Sequence, residues 1–217
     1  MCGRFYVEPE DPYFRELEKR VESSPLAGRF PGKTPAAADG AFGGEVFPEN
    51  VVPVLAPNRA GEQSVFPMQW GFVLPASGGG KRPPRMINAR SETAGLKPLF
   101  RESWAQRRCV IPATAYFEWE HRPDSAGRPR AGRKYRIRPK DGSRAYLAGL
   151  YRMEAGLPSF VVLTRAPAED LSWMHDRMPV LLPEAAIGAW LSRTENPEEI
   201  LRAAVTETEW KEESKPV

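Results

Sequence analysis

Short runs of β-branched, aromatic and aliphatic residues, each interrupted within a few positions by proline, glycine or charge, constrain this chain more than any other feature. They fall at 45–47, 51–55, 65–70, 108–113, 116–120, 134–138, 146–151, 159–164 and 180–182, with a further run at 3–7. Such runs bounded by turn formers read as strands. Connections this short favour antiparallel pairing, because a parallel partner needs a crossover of a dozen residues or more. Helical spacing is confined to a few places. Phe14, Leu17 and Val21 lie on one face of a helix over 12–21, with Asp11 as N-cap and Pro12 in the first turn. A short helix is expected at 99–105, and two more at 183–192 and 196–204. Proline and glycine mark 25–44 as loop, and the glycine-rich stretch from Ser77 reads as an exposed flexible loop. No repeat or linker separates two cores. The expectation is an α+β fold, one domain over 1–217, whose helical segment ends near 204 and leaves a tail to 217.

Cys2 directly follows Met1. Removal of the methionine would leave a free α-amine and a thiol on adjacent carbons. Such a 1,2-aminothiol takes an aldehyde twice: the amine condenses to an imine, and the thiol closes a five-membered thiazolidine on the imine carbon. Intramolecular closures of this kind reach effective molarities on the order of 10^5 M, so a transient imine becomes a lasting bond. A terminal cysteine is otherwise an ordinary disordered residue. The strand-like Gly3-Arg4-Phe5-Tyr6-Val7 that follows would tie this one into a sheet.

Composition narrows the classes. Cys2 and Cys109 are the only cysteines, too few for a disulfide framework or a zinc site, and Cys109 in an apolar run reads as a buried, inert thiol. No stretch has the length of a membrane span and no signal peptide is evident, so a soluble intracellular protein is expected, cytoplasmic, and nucleoid-associated only if its partner is DNA. Nothing calls for a metal or cofactor. The net charge of +3 is unevenly spread: residues 1–22 hold four Lys/Arg and six Asp/Glu, and 184–217 hold four and eight, leaving the middle at +9. Acidic ends are most simply solvated faces of terminal helices. The basic middle could line a groove along a phosphate backbone, or Arg128 to Lys140 could be a basic loop and hairpin.

Cys2, Asn88, Glu118 and His175 stand out from a β scaffold. Strand alternation puts Tyr116, Glu118 and Glu120 on one face and Phe117 and Trp119 on the other, so one face is core and the other a polar surface or cleft. A lone glutamate on a strand is most simply solvated. His175, in Met174-His175-Asp176-Arg177-Met178-Pro179, suits a positioned acid or base, and equally a structural histidine bonded to backbone.

Together with Met1-Cys2-Gly3-Arg4-Phe5, Met68-Gln69-Trp70-Gly71-Phe72, Ile87-Asn88-Ala89-Arg90-Ser91-Glu92-Thr93, Arg107-Arg108-Cys109-Val110-Ile111-Pro112-Ala113 and Tyr116-Phe117-Glu118-Trp119, these residues form an ordered set spanning about 2–192. The chain closely resembles the SRAP (SOS response-associated peptidase) family of abasic site processing proteins. The resemblance implies curved, barrel-like antiparallel sheets with flanking helices and a basic cleft. It implies capture of abasic sites in single-stranded DNA as a thiazolidine, with Cys2, Asn88, Glu118 and His175 as the catalytic set, and AP-lyase side activity through the same imine. His175 would donate to the sugar ring oxygen, Glu118 would move protons at the amine and carbinolamine, and Asn88 would orient Cys2 or the sugar. Arg4, Arg90, Lys97 and Arg177 are the candidate phosphate contacts, and Trp70 and Trp119 the candidate stacking residues. A monomer is expected, acting on single-stranded DNA and at replication-fork junctions.

Two departures from the family pattern stand out. Ala115 replaces a common glycine, which matters if that position needs a positive φ. The stretch between Arg29 and Glu45 is Ala/Gly-rich and lacks a Tyr-Asn segment common in relatives. Two other readings remain at this point: a Cys2-dependent thiol peptidase, which needs the thiol but not a free amine, and a non-catalytic reader of single-stranded or modified DNA.

Overall fold

The computed structural model describes residues 2–31, 34, 42–75, 83–123 and 129–213. The glycine-rich stretch at 77–82, most of the segment between Arg29 and Glu45, and the end of the tail lie outside them. In chain order the strands are β1 (Arg4–Val7), β2 (Gly44–Val46), β3 (Val51–Pro57), β4 (Gln63–Trp70), β5 (Phe72–Val73), β6 (Arg85–Met86), β7 (Asn88–Arg90), β8 (Arg108–Ala113), β9 (Ala115–Pro123), β10 (Pro129–Pro139), β11 (Ala145–Glu154), β12 (Leu157–Arg165), β13 (Met178–Pro179), β14 (Leu181–Leu182) and β15 (Thr208–Glu213). The helices are α1 (Pro12–Glu22), α2 (Ser91–Ala94), α3 (Pro98–Gln106), α4 (Ile187–Leu191) and α5 (Pro197–Arg202).

Five strands close a ring. β3 pairs with β4 and β8, β8 with β11 and β11 with β12, all antiparallel, and β12 returns to β4 through a short parallel register at Ser159↔Gln69 and Phe160↔Trp70. Closure gives every member two neighbours and removes the exposed edges of an open sheet. The ring is packed with side chains: every residue of β3 and β8 is buried. At Gly149 the space is already taken. A Cβ there would sit 2.5 Å from Ile111 Cδ1 and 3.0 Å from Cys109 Sγ, so the absent side chain is what lets β11 lie against β8. Cys109 is fully buried.

The second sheet runs β15-β10-β9-β1-β2. The chain passes from the ring to this sheet across one residue, Thr114, whose N–H donates to the Tyr6 carbonyl at 2.8 Å and whose hydroxyl accepts from the Glu8 N–H at 2.9 Å. β1 therefore lies inside the sheet, between β9 and β2. Ala115 opens β9 opposite Tyr6 and is not among the positive-φ residues, so alanine fits there without strain.

Helices flank these sheets as the periodicity predicts. Asp11 Oδ1 caps α1 by accepting from the Tyr13 N–H at 2.9 Å, and Phe14 and Leu17 are buried. The stretch expected as a helix over 183–192 is a 3-10 turn at Glu184–Ala186 leading into α4. The carbonyls at the end of α4 are held by the buried Arg108 guanidinium, which donates to Trp190 O at 2.7 Å and also to Ser192 O.

The charge pattern resolves differently from the expectation. The acidic C-terminal segment is not only helix surface: 208–213 is an edge strand, and it meets the basic strand β10. Arg133 pairs with Glu212 at 3.1 Å, Arg136 with Glu213 at 2.8 Å and Arg138 with Glu209 at 2.6 Å, while Lys134 pairs with Glu45 of β2. Exposed pairs of this kind contribute only about 0–1 kcal/mol each. Their effect is to match β15 to β10 and to engage this run of cations, so β10 is a basic hairpin strand rather than an open phosphate track.

Filling the ring should be costly. Gly149→Ala is expected to lower unfolding free energy by about 1–3 kcal/mol, the usual penalty for overpacking, read from the urea midpoint at unchanged slope.

Candidate active site

The four residues singled out in the sequence come from both sheets and meet at the seam between them. Cys2 and Glu118 belong to the five-stranded sheet: β1 and β9 pair at Arg4↔Phe117, and the ladder carries the amino-terminal segment alongside Glu118. Asn88 and His175 are held by β12 of the ring. Asn88 begins β7, which runs parallel to β12 at Val162↔Asn88. His175 lies between a 3-10 turn at Glu169–Leu171 and β13, which pairs with β12 at Thr164↔Pro179, and its N–H donates to the Leu171 carbonyl.

Two contacts among these four residues cross the seam. Asn88 Nδ2 donates to the Cys2 carbonyl at 2.8 Å, and His175 Nε2 lies 3.8 Å from Glu118 Oε1. All four residues are buried, Cys2 completely. The Cys2 thiol points to the Arg4 carbonyl at 3.7 Å. Burial pushes this thiol far above its ordinary range, and the negative charge of Glu118 adds to the shift, so at neutral pH Cys2 carries a thiol and not a thiolate. Glu118 is itself pushed up to about 7, first by burial; the positive amino terminus opposes the shift and Asp176 reinforces it. A solvated glutamate would not behave this way. The simple expectation for a lone glutamate on a strand is corrected here by the ring side of the seam, whose His175 segment packs against the face that carries Glu118.

His175 Nδ1 has two neighbours that require different protonation. The Arg177 N–H reaches it at 3.0 Å, which makes Nδ1 an acceptor and leaves the proton on Nε2, facing Glu118. Asp176 Oδ1, on an exposed side chain, lies 2.7 Å from the same atom and calls for a proton on Nδ1. Exchange between these arrangements moves a proton on or off the edge of the ring that faces Glu118. Asn88 Oδ1 is buried without a hydrogen-bond partner among the described residues. Tyr116, two residues before Glu118 on the same face, likewise buries an unpartnered hydroxyl, and burial raises its pKa, with the negative charge of Glu118 adding to the shift. Strand alternation marked Tyr116 as a neighbour of Glu118, but an aromatic residue on a strand gave no reason to separate it from the core.

The candidate DNA contacts scatter. Trp70 is fully buried: its indole N–H donates to the Ile87 carbonyl at 2.9 Å, and its ring stacks on Phe160 with centroids 6.0 Å apart. It is a core residue, closed to a stacking base. Arg177 is mostly buried and committed elsewhere, with two 2.8 Å bonds to Glu92 and one of 2.6 Å to the Thr164 carbonyl. This clamp fixes the segment that holds His175, and the Arg177 bonds draw the Glu92 carboxyl down to about 2. Arg4 pairs with Glu45 at 3.2 Å and lies 5.0 Å over Trp119, which is half-buried. Both are on the face of the sheet opposite Glu118. Arg90 and Lys97 are exposed.

A closed ring joined to a second sheet, with Cys–Asn and Glu–His contacts across the seam, defines the class of protein. Over residues 1–217 the sequence matches the family SRAP, SOS response associated peptidase, and the chain belongs to that family. It is 31% identical over 204 residues to Abasic site processing protein YobE of Bacillus subtilis (strain 168), covering 88% of this chain and 82% of that one. It is 28% identical over 202 residues to Abasic site processing protein YedK of Escherichia coli (strain K12), covering 88% and 79%. Among solved structures it is similar to a phage-related protein of Bordetella bronchiseptica, with a TM-score of 0.67 and 22% identity over 99% of this chain and 95% of that one, a likeness of fold.

Glu118 makes stability depend on pH. Its folded pKa lies above that of the unfolded chain, so its contribution is fully present below about pH 4 and is lost as pH rises through about 7. Glu118→Gln should therefore be more stable than wild type near pH 8, by on the order of 2 kcal/mol, and should match it near pH 4. Paired denaturation curves at the two pH values test this.

Proposed function

We propose that this protein captures the open-chain aldehyde of an abasic site in single-stranded DNA as a thiazolidine on Cys2. The observation that carries the reading is the setting of Cys2: a neutral thiol whose own carbonyl is held by Asn88, beside a Glu118–His175 pair. The names of the relatives as abasic site processing proteins support the substrate.

Removal of Met1 frees the α-amine. The amine attacks C1′ of the ring-opened sugar, giving a carbinolamine, and loss of water leaves an imine. The thiol sulfur then adds to the imine carbon, its proton passes to the nitrogen, and the ring closes; the net change is loss of one water. His175 protonates the sugar ring oxygen as the hemiacetal opens. Glu118, poised near pH 7, accepts a proton from the amine and returns it to the departing hydroxyl. Asn88 acts by position: Nδ2 fixes Cys2, and the unpartnered Oδ1 offers an acceptor to the incoming sugar. An unpaired strand can bring its sugar into so narrow a seam without the cost of opening a duplex. Arg90 and Lys97, both exposed, are the phosphate contacts in this reading. Arg4 and Trp119 could join them only by leaving their present partners.

A thiol peptidase requires a thiolate, usually in an electropositive setting. The burial of Cys2 and the neighbouring Glu118 charge oppose one, which weighs against that reading.

The test is incubation of the Met1-free protein with single-stranded DNA bearing one abasic site, followed by a denaturing gel and intact mass. A heat-stable adduct with the mass of protein plus DNA less one water is expected. Cys2→Ala and Cys2→Ser should form none, and each should yield an imine trapped only by borohydride, since the amine remains and the thiol is gone. Glu118→Gln and His175→Ala should slow adduct formation by roughly 10^2-fold. A heat-stable adduct with Cys2→Ala, or none with wild type, would sink the reading.

A further inference from the structure

The chain has six tryptophans, and two of them, Trp173 and Trp210, are substantially exposed, at 45% and 46%. They belong together. Their ring centroids lie 5.4 Å apart, and both meet the buried Tyr135 edge-on, at 5.3 and 5.4 Å. Three aromatic rings thus form a cluster whose inner member is buried while two indoles face solvent.

The cluster is beside the reacting groups. In the ladder Tyr135 is directly opposite Glu118, and Ile137 is opposite both Tyr116 and Trp210. Paired residues share a face, as do alternate residues of one strand, so Tyr135 and Trp210 stand on the Glu118 face of the sheet. Trp173 comes from the other side of the seam, two residues before His175. Glu212 shares this face, but its carboxylate is paired with Arg133 at 3.1 Å, so it does not leave the cluster with an unbalanced negative charge.

Tryptophan half exposed at such a place has a ligand chemistry that fits it. A base next to an abasic sugar has lost a stacking neighbour, and an exposed indole supplies a substitute face without regard to base identity. We propose that Trp173 and Trp210 form a base-stacking platform that takes up a nucleobase adjacent to the abasic sugar and so sets the sugar against Glu118 and His175. This rests on the reading of the site as an abasic-DNA site. The two tryptophans are positioning residues: they carry no proton and touch no reacting atom.

The probe is a single strand with one tetrahydrofuran residue, an abasic analogue without an aldehyde, so that binding is measured apart from crosslinking. A second strand of equal length and charge has its neighbouring nucleotides replaced by tetrahydrofuran as well, which removes the bases and keeps the phosphates. Wild type should bind the base-bearing strand more tightly, and Trp173→Ala with Trp210→Ala should weaken that binding roughly 5- to 150-fold, the equivalent of one stacked base. The same variant should bind the base-free strand like wild type, and Trp173→Phe with Trp210→Phe should restore most of the affinity. In the unmodified protein, indole fluorescence should be quenched by the base-bearing strand and not by the base-free one, which needs no variant to fold. Equal affinity of wild type for both strands, no loss in the alanine variant, or an equal loss on both strands overturns the platform. If wild type forms the covalent adduct but shows none of these differences, the platform alone falls; if it binds neither strand and forms no adduct, both readings fall together.

Discussion

Asn88 Nδ2 donates to the Cys2 carbonyl across the boundary between two sheets, and the geometry of the site depends on that bond. Cys2 belongs to a segment whose other hydrogen bonds run within its own sheet, so nothing else among the described contacts ties its carbonyl to the ring. Asn88 in turn is held by the parallel register of β7 on β12. The same strand anchors β13 and accepts the Arg177 clamp, so one strand positions both ring-side members of the site. A buried donor that lost its acceptor would cost about 1–3 kcal/mol, which makes the docked arrangement of the two sheets favourable as well as specific.

The electrostatic pattern separates two uses of charge. On β10 and β15, and between Lys134 and Glu45, opposite charges meet near the surface and offset one another. At the seam the reverse holds: Glu118 is buried beside a histidine that stands at 3.8 Å. Its high pKa records unfavourable burial of the ionised form, and that cost is what leaves it able to exchange protons at neutral pH.

Much of this was legible in the sequence, and the parts that were not share a cause. Strand positions followed from local composition, and the extents of α1 and α3 from spacing and proline. The ring closure did not, because the short parallel contact between β4 and β12 joins residues about ninety positions apart and leaves no local signature. β15 was hidden by its charge: Glu209, Glu212 and Glu213 fall in what reads as an acidic tail until β10 supplies their partners. The four seam residues were found by their chemistry and by resemblance, but their partners were not. Trp70 and Arg177 stood near candidate residues in the sequence and turned out to be core and clamp, whereas Trp173 and Trp210 carried no motif and are the two most exposed tryptophans. Adjacency in sequence tells little about accessibility when two sheets fold against each other.

The interior place of β1 has a consequence for the order in which the protein matures. Cys2 leaves the ribosome long before Phe117, the sheet partner of Arg4, and before Asn88 and His175, yet β1 has no edge on which to wait, since it fits between β2 and β9. Until those strands have been made, the segment that holds Cys2 is an unpaired tail, and afterwards Cys2 is fully enclosed. Vectorial synthesis thus leaves the Cys2 segment open first and encloses it later, in the same folding step that brings Asn88 and His175 to it.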